Sequence, residues 1–152
     1  MTAATSIRRE AAISFVINAV LSLAFFLGLY SNTGRTLSWV EPDGLALDFV
    51  PQSLAVALMS ALVPALIARK RLGNGPALRP VLLRAGLFAL AGACLGAVLA
   101  LLASAAEPPA IAWSTALVGK MLYGGLLGAL VATLALRPLL ATGSVTTRKM
   151  HR

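Results

Sequence analysis

The chain is short of charge, of cysteine and of histidine. Only 12% of its residues are charged, against about 25% in an ordinary soluble domain. Cys94 is the only cysteine, which excludes an internal disulfide and the paired thiols of a thiol–disulfide oxidoreductase. His151, the only histidine, lies in the basic C-terminal stretch. The sequence therefore offers little of the side-chain chemistry on which most enzymes depend.

Catalytic and metal-binding motifs are missing as well. The sequence contains no His/Cys/Asp/Glu cluster with metal-ligand spacing, no G-x-S-x-G motif and no phosphate-binding loop. An intramembrane protease would need paired carboxylates or a serine–histidine pair inside the apolar segments, and neither is present. We therefore expect a protein that is not an enzyme and that requires no cofactor and no metal.

What the sequence does have is four long apolar segments, within a composition that is 59% hydrophobic. They cover residues 11–30, 49–68, 81–105 and 110–136. Each is long enough to cross a hydrocarbon core about 30 Å thick at a rise of about 1.5 Å per residue. This pattern predicts an all-α membrane protein, with a single domain of four transmembrane helices followed by a basic tail at 137–152.

The loops differ strongly in charge. Of the 13 Lys and Arg residues, 11 lie in the N-terminal stretch, around the middle loop or in the tail. The loop 31–48 has only Arg35, and Lys120 lies within segment four. The positive-inside rule then places both termini in the cytoplasm. This predicts an antiparallel up-down bundle in a bacterial-type inner membrane, with anionic lipid headgroups rather than nucleic acid as the partners of the basic residues.

Two patterns concern helix packing. Ser14, Asn18 and Ser22 follow one another at four-residue spacing and so share one face of segment one. That face should point at protein or water, either for interhelical hydrogen bonds or as part of a solute pathway. Small-xxx-small pairs, at Gly92/Gly96 and Gly124/Gly128, let another backbone approach closely. They predict a tight hairpin of segments three and four, although the same faces could serve between subunits.

Lys120 is the residue that most invites a function. It lies about 11 residues, or roughly 16 Å, into segment four. A lysine at the bilayer centre costs on the order of 2.5–3.5 kcal/mol on the insertion scale. No acidic residue lies within a segment, and Asp48 and Glu107 are expected at the outer surface, with Asp48 capping segment two. The predicted intramembrane polar site therefore joins Lys120 to polar neighbours on segments one and four, namely Asn18, Ser22 and Tyr123.

Three roles for Lys120 remain open at this point: a hydrogen-bonded packing residue, a contact to a partner subunit or lipid headgroup, and a site for an anion or a proton. Two functions follow. The first is a non-enzymatic membrane subunit that packs with other membrane proteins or with itself, in a larger complex or a homo-oligomer. The alternative is a small transporter or channel for an anionic or proton-coupled solute. The first is preferred, because the chain has no internal repeat and has many small-residue faces.

Overall fold

The structure is a computed structural model that describes residues 3–31, 34–72 and 78–149, with side chains described for 8–31, 34–67 and 78–135. The glycine- and proline-containing break at 73–76 lies outside these residues, as do the side chains of the basic residues at 69–71 and in the C-terminal tail.

Four helices make up almost all of the described chain. They are α1 (Ala3–Tyr30), α2 (Phe49–Leu72), α3 (Leu78–Ala106) and α4 (Trp113–Lys149). Each contains a stretch long and apolar enough to cross a membrane, which confirms the prediction of an all-helical chain with four such helices. A helix satisfies its own backbone hydrogen bonds, as hydrocarbon requires. Helix α4 begins later than predicted and continues through 137–149, so most of the predicted tail is helical.

Local backbone geometry ends α1 and α3. Ser31 has a φ of 51° and its N–H donates to the carbonyl of Leu27 at 3.0 Å, which is a left-handed cap of the kind that stops helices. Glu107 has a φ of 42° and is followed by Pro108, which cannot continue a helix. Both helices therefore stop where their apolar runs stop.

The loops after α1 and after α3 are joined at one end of the bundle. Strand β1 (Thr36–Leu37) pairs antiparallel with β2 (Ile111–Ala112). The indole N–H of Trp39 also donates to the carbonyl of Pro109 at 3.2 Å. Leu37 is completely buried. The 31–48 loop is therefore a folded cap rather than a free linker.

An ion pair fixes the exposed turn of this cap. The guanidinium of Arg35 donates to both carboxylate oxygens of Asp43, with 3.1 Å between Nη1 and Oδ2. The backbone N–H of Ser38 donates to the same oxygen at 2.8 Å. Hydrogen bonds from Arg35, followed by that from Ser38, lower the pKa of Asp43 to about 2. This carboxylate is therefore charged at neutral pH, and Arg35, the one basic residue of the loop, is neutralised.

Helix α3 packs against α2 along their length. A Cβ at Gly92 would lie 2.6 Å from the carbonyl oxygen of Ser53 and 2.7 Å from the Cβ of Ala57, and one at Gly96 would lie 2.8 Å from the Cα of Val50. Real Cβ atoms do not approach other atoms so closely. The two glycines are thus close-packing positions against α2.

Helix α4 packs against α1 and, less extensively, against α2. A Cβ at Gly128 would lie 2.6 Å from the Cγ of Asn18, and one at Gly124 would meet Ser22 and lie 3.2 Å from the Nε2 of Gln52. The predicted tight hairpin of α3 and α4 is therefore wrong. The Gly-xxx-Gly spacing identifies a surface that another helix can approach, but it does not specify which helix does so.

The core lies between α2, α3 and α4. Its buried members are mostly small: Val56, Ala57, Ala61, Ala85, Leu127, Val131 and Ala135. A second cluster lies under the cap and contains Phe26, Leu37, Leu45 and Ala116. Large leucines point outwards instead, such as Leu87 and Leu101 on α3, which are 66% and 70% exposed. Small residues inside and large apolar residues outside are what helices packed within lipid require.

Candidate functional site

The centre of the site is an ion pair between α4 and the residue just before α2. The Nζ of Lys120 lies 3.0 Å from Oδ2 of Asp48, and both side chains are almost fully buried. The same Nζ lies 3.6 Å from the centroid of the Phe49 ring, close enough for a cation–π interaction. Lys120 thus has a counter-ion and an aromatic partner within its own chain.

The cap is what buries Asp48. Leu45 and Ala46, two to three residues before Asp48, are 1% and 0% exposed. The N–H of Ala46 donates to the carbonyl of Trp39 at 2.9 Å, which turns the chain back under the cap. Gly44, with a φ of 66°, supplies the left-handed conformation that this turn needs. The chain therefore re-enters the bundle before α2 begins and carries Asp48 inside.

One sequence-based expectation is wrong here, and a second holds only in part. Asp48 was expected at the outer surface, with no carboxylate to pair with Lys120, but it is 7% exposed and forms the ion pair. Asp48 was also expected to cap α2. It stands at the N-cap position, since its carbonyl accepts from the N–H of Gln52 at 3.3 Å, but among the described residues its side-chain Oδ1 has no hydrogen-bond partner. In addition, α4 begins at Trp113 rather than near 110. Lys120 therefore lies about 10 Å from the start of its helix, at the level of Asp48.

Ser22 is linked to Lys120 through Gln52, which was not among the predicted site residues. The side-chain amide of Gln52 donates from Nε2 to Ser22 Oγ at 2.9 Å and to the backbone carbonyl of Lys120 at 3.0 Å. One amide therefore joins α1, α2 and α4. Gln52 is 3% exposed, so this bridge lies within the bundle.

Tyr123 contacts α2 next to the ion pair. Its hydroxyl lies 2.6 Å from Ser53 Oγ, and its ring makes an edge-to-face contact with Phe49, with the centroids 5.0 Å apart. Phe49 in turn packs under the Lys120 ammonium. Tyr123 therefore adjoins the lysine through an aromatic neighbour and not through a hydrogen bond to Nζ.

Asn18 belongs to a separate polar cluster. Its Nδ2 donates to the carbonyl of Ser14 at 2.7 Å and to Ser60 Oγ at 2.9 Å. Ser14 Oγ donates to the carbonyl of Gly128 at 2.9 Å. Ser14, Asn18 and Ser22 are all buried, which confirms that this face of α1 points inwards. Of the three residues predicted to lie beside Lys120, Ser22 and Tyr123 thus adjoin it through Gln52 and Phe49, and Asn18 does not.

Four residues of the site were missed from sequence. They lie just before α2 or within its first five residues: Asp48, Phe49, Gln52 and Ser53. Asp48 and Gln52 are four residues apart, which puts them on one face of a helix. That spacing was a usable signal. It was outweighed by their position at the edge of an apolar segment, where polar groups are usually exposed.

Two cavities adjoin these clusters. One, of about 300 Å³, lies next to Lys120 under the cap and is lined by Trp39, Phe49, Leu99 and Tyr123 among others. The second, of about 410 Å³, is a groove between α1 and α2, which touch only lightly. Its lining is mostly apolar, but it includes Ser14, Asn18 and Ser60.

No protein-family model, curated protein or solved structure matches this chain. The chemistry of its own residues is therefore the basis for assigning a role. The ion pair, the Gln52 bridge and the Tyr123–Ser53 contact connect α1, α2 and α4. These contacts hold the three helices together, and the charges of Lys120 and Asp48 neutralise each other.

Proposed function

We propose that this chain is a non-enzymatic subunit of a membrane assembly, which packs with other membrane proteins or with copies of itself. Its four apolar helices are compatible with a small multi-pass membrane protein. The observation that carries the proposal is the groove between α1 and α2. Ile17 and Met59 on its rim are 58% and 46% exposed, and Asn18 in its lining is 3% exposed.

The polar lining of the groove favours a protein helix as its occupant. Among the described residues, Oδ1 of Asn18 has no hydrogen-bond partner, although the side chain is buried. An unpaired polar group next to hydrocarbon is costly, and side-chain donors on a neighbouring helix are the usual remedy. A helix that carries a hydroxyl or amide donor would fill the apolar groove and pair with this oxygen.

Filling the groove from within should prevent assembly. We expect the wild-type protein, extracted in mild detergent, to have the mass of a defined assembly larger than one chain. Val63→Trp, which places a large ring in the groove, should reduce that mass to the monomer while the helical content is unchanged. Leu101, on the outer face of α3, is 70% exposed. Leu101→Trp is therefore the matched control, and this variant should retain the mass of the assembly. A monomeric wild-type protein, or equal loss in both variants, would argue against the proposal.

The alternative, a transporter or channel for an anionic or proton-coupled solute at Lys120, has less support. An anion at Nζ would have to displace the carboxylate of Asp48, which lies 3.0 Å away. That displaced charge would then be left in the bundle interior without a partner, which is strongly unfavourable.

We further propose that the bundle runs up and down through a bacterial-type inner membrane with both termini in the cytoplasm. The excess of basic residues at the termini and the middle loop supports this orientation. The pairing of β1 with β2 supports the up-and-down arrangement, since it holds the loops after α1 and α3 at one end.

The orientation can be tested with fusions. A fluorescent reporter that matures only in the cytoplasm should be active after Arg152. A phosphatase that requires the periplasm should be active when inserted next to Glu107 and inactive after Arg152. Phosphatase activity of the Arg152 fusion would reverse the proposed orientation.

A further inference from the structure

Arg84 on α3 is a half-buried cation that has no acidic partner within the chain. The chain has five acidic residues, and the structure describes the side chains of all five. Asp43 pairs with Arg35 and Asp48 with Lys120, whereas none of the five carboxylates comes within 4.0 Å of Arg84. The anion that balances this guanidinium must therefore come from outside the chain.

A cavity of about 120 Å³ lies beside Arg84, and the guanidinium is the charged group of its described lining. Small side chains from three helices leave this space: Ala61 and Ala65 on α2, Ala85 on α3 and Ala135 on α4. Its volume is about four times the 30 Å³ that one water occupies in the liquid. The cavity is therefore large enough for a small anionic group, and its one polar anchor is an arginine.

The position of Arg84 along α3 fits the level of lipid headgroups. Helix α3 ends at Ala106, at the capped end of the bundle, about 22 residues or roughly 33 Å from Arg84. The hydrocarbon core of a bilayer is about 30 Å thick, so Arg84 lies near its opposite boundary. The sequence is also basic there, with Arg69 following Ala65 on α2 and Arg137 following Ala135 on α4.

We propose that the cavity beside Arg84 binds the phosphate of an anionic phospholipid. The planar guanidinium offers parallel N–H donors that match two phosphate oxygens, and basic pockets between helices are typical sites for such headgroups. Leu83 and Leu87, next to Arg84 on α3, are 62% and 66% exposed and offer an apolar surface to the acyl chains. The orientation proposed above decides only which leaflet supplies the lipid, not whether it binds.

Native mass spectrometry of the detergent-purified protein, titrated with phosphatidylglycerol or with phosphatidylcholine, tests this site. The wild type should bind phosphatidylglycerol in preference. Arg84→Met should bind it at least about tenfold more weakly, since a hydrogen bond between charged groups contributes about that factor. Arg79→Met removes the same charge from an exposed position on the same helix. It is the matched control and should bind as the wild type does.

Equal losses in the two variants would overturn the proposal, because the overall positive charge would then attract the lipid. Unchanged binding in Arg84→Met, or no preference in the wild type, would also overturn it. Release of the lipid by millimolar inorganic phosphate would assign the cavity to a free phosphate ion instead. Arg84→Lys keeps the charge without the planar fork and should bind with intermediate affinity, so it decides the matter if Arg84→Met does not fold.

The lipid site and the proposed assembly can be tested separately. Val63 lines the groove between α1 and α2 and is not part of the described lining beside Arg84. Val63→Trp should therefore still bind phosphatidylglycerol, even where it no longer assembles. Loss of the lipid in Val63→Trp would contradict a site at Arg84 that is complete within one chain.

Discussion

Replacing Lys120 with Met is expected to destabilise the folded protein by about 3–5 kcal/mol, the usual cost of removing one partner of a buried ion pair. The change keeps the length of the side chain and removes its charge, so Asp48 is left buried without a counter-ion. Helicity followed during unfolding in mixed detergent micelles measures the loss. Arg84→Met, which removes a half-buried charge from α3, is the control, and an effect near 0.5 kcal/mol is expected of it.

The double variant Asp48→Asn/Lys120→Met should recover much of that stability, because neither charge then remains in the interior. A double-mutant cycle should give a coupling free energy above about 1 kcal/mol, as expected of residues in direct contact. If Lys120→Met is as stable as the wild type and the cycle shows no coupling, the two side chains do not form a pair in the membrane.

The second large effect is expected at the contact between α2 and α3. Gly92→Val should cost at least about 1–3 kcal/mol, the usual range for added volume at a close-packed position. Its Cβ would meet the backbone of Ser53 and the Cβ of Ala57, and neither can move away without displacing α2. Thermal unfolding in detergent measures the change. Gly92→Ala should show a smaller loss in the same direction.

Gly86→Val is the matched control on the same helix. Nothing lies within 4 Å of a Cβ built at Gly86, so this variant should retain wild-type stability. Equal losses at the two positions would indicate a general intolerance of α3 to valine, and no loss at Gly92 would mean that α2 does not contact α3 there.

Properties that depend on local sequence could be predicted. The four helices follow from the length of the apolar runs, because hydrocarbon admits little other backbone structure. The inward face of α1 follows from the four-residue spacing of Ser14, Asn18 and Ser22. The close-packing glycines were recognisable for the same reason. Each of these inferences needs only one segment of the chain.

Properties that depend on two distant segments could not be predicted. Gly92 packs against α2 and Gly124 packs against α1, although both glycines belong to the same Gly-xxx-Gly pattern. The burial of Asp48 depends on a cap held by strands more than 70 residues apart in sequence. Position at the end of an apolar run indicated a surface carboxylate, and the fold of the preceding loop decided otherwise.

Because α4 is synthesised after the other three helices, its position in the bundle affects how the four helices come together. Helix α1 is made first, but its main neighbour in the bundle is α4, which is made last. Until α4 enters the membrane, Ser14 has no Gly128 carbonyl to bind and Asp48 has no ammonium beside it. The first three helices therefore cannot complete their packing as they emerge from the ribosome. Insertion of the fourth joins the earliest part of the chain to the rest and supplies the counter-charge in the same step.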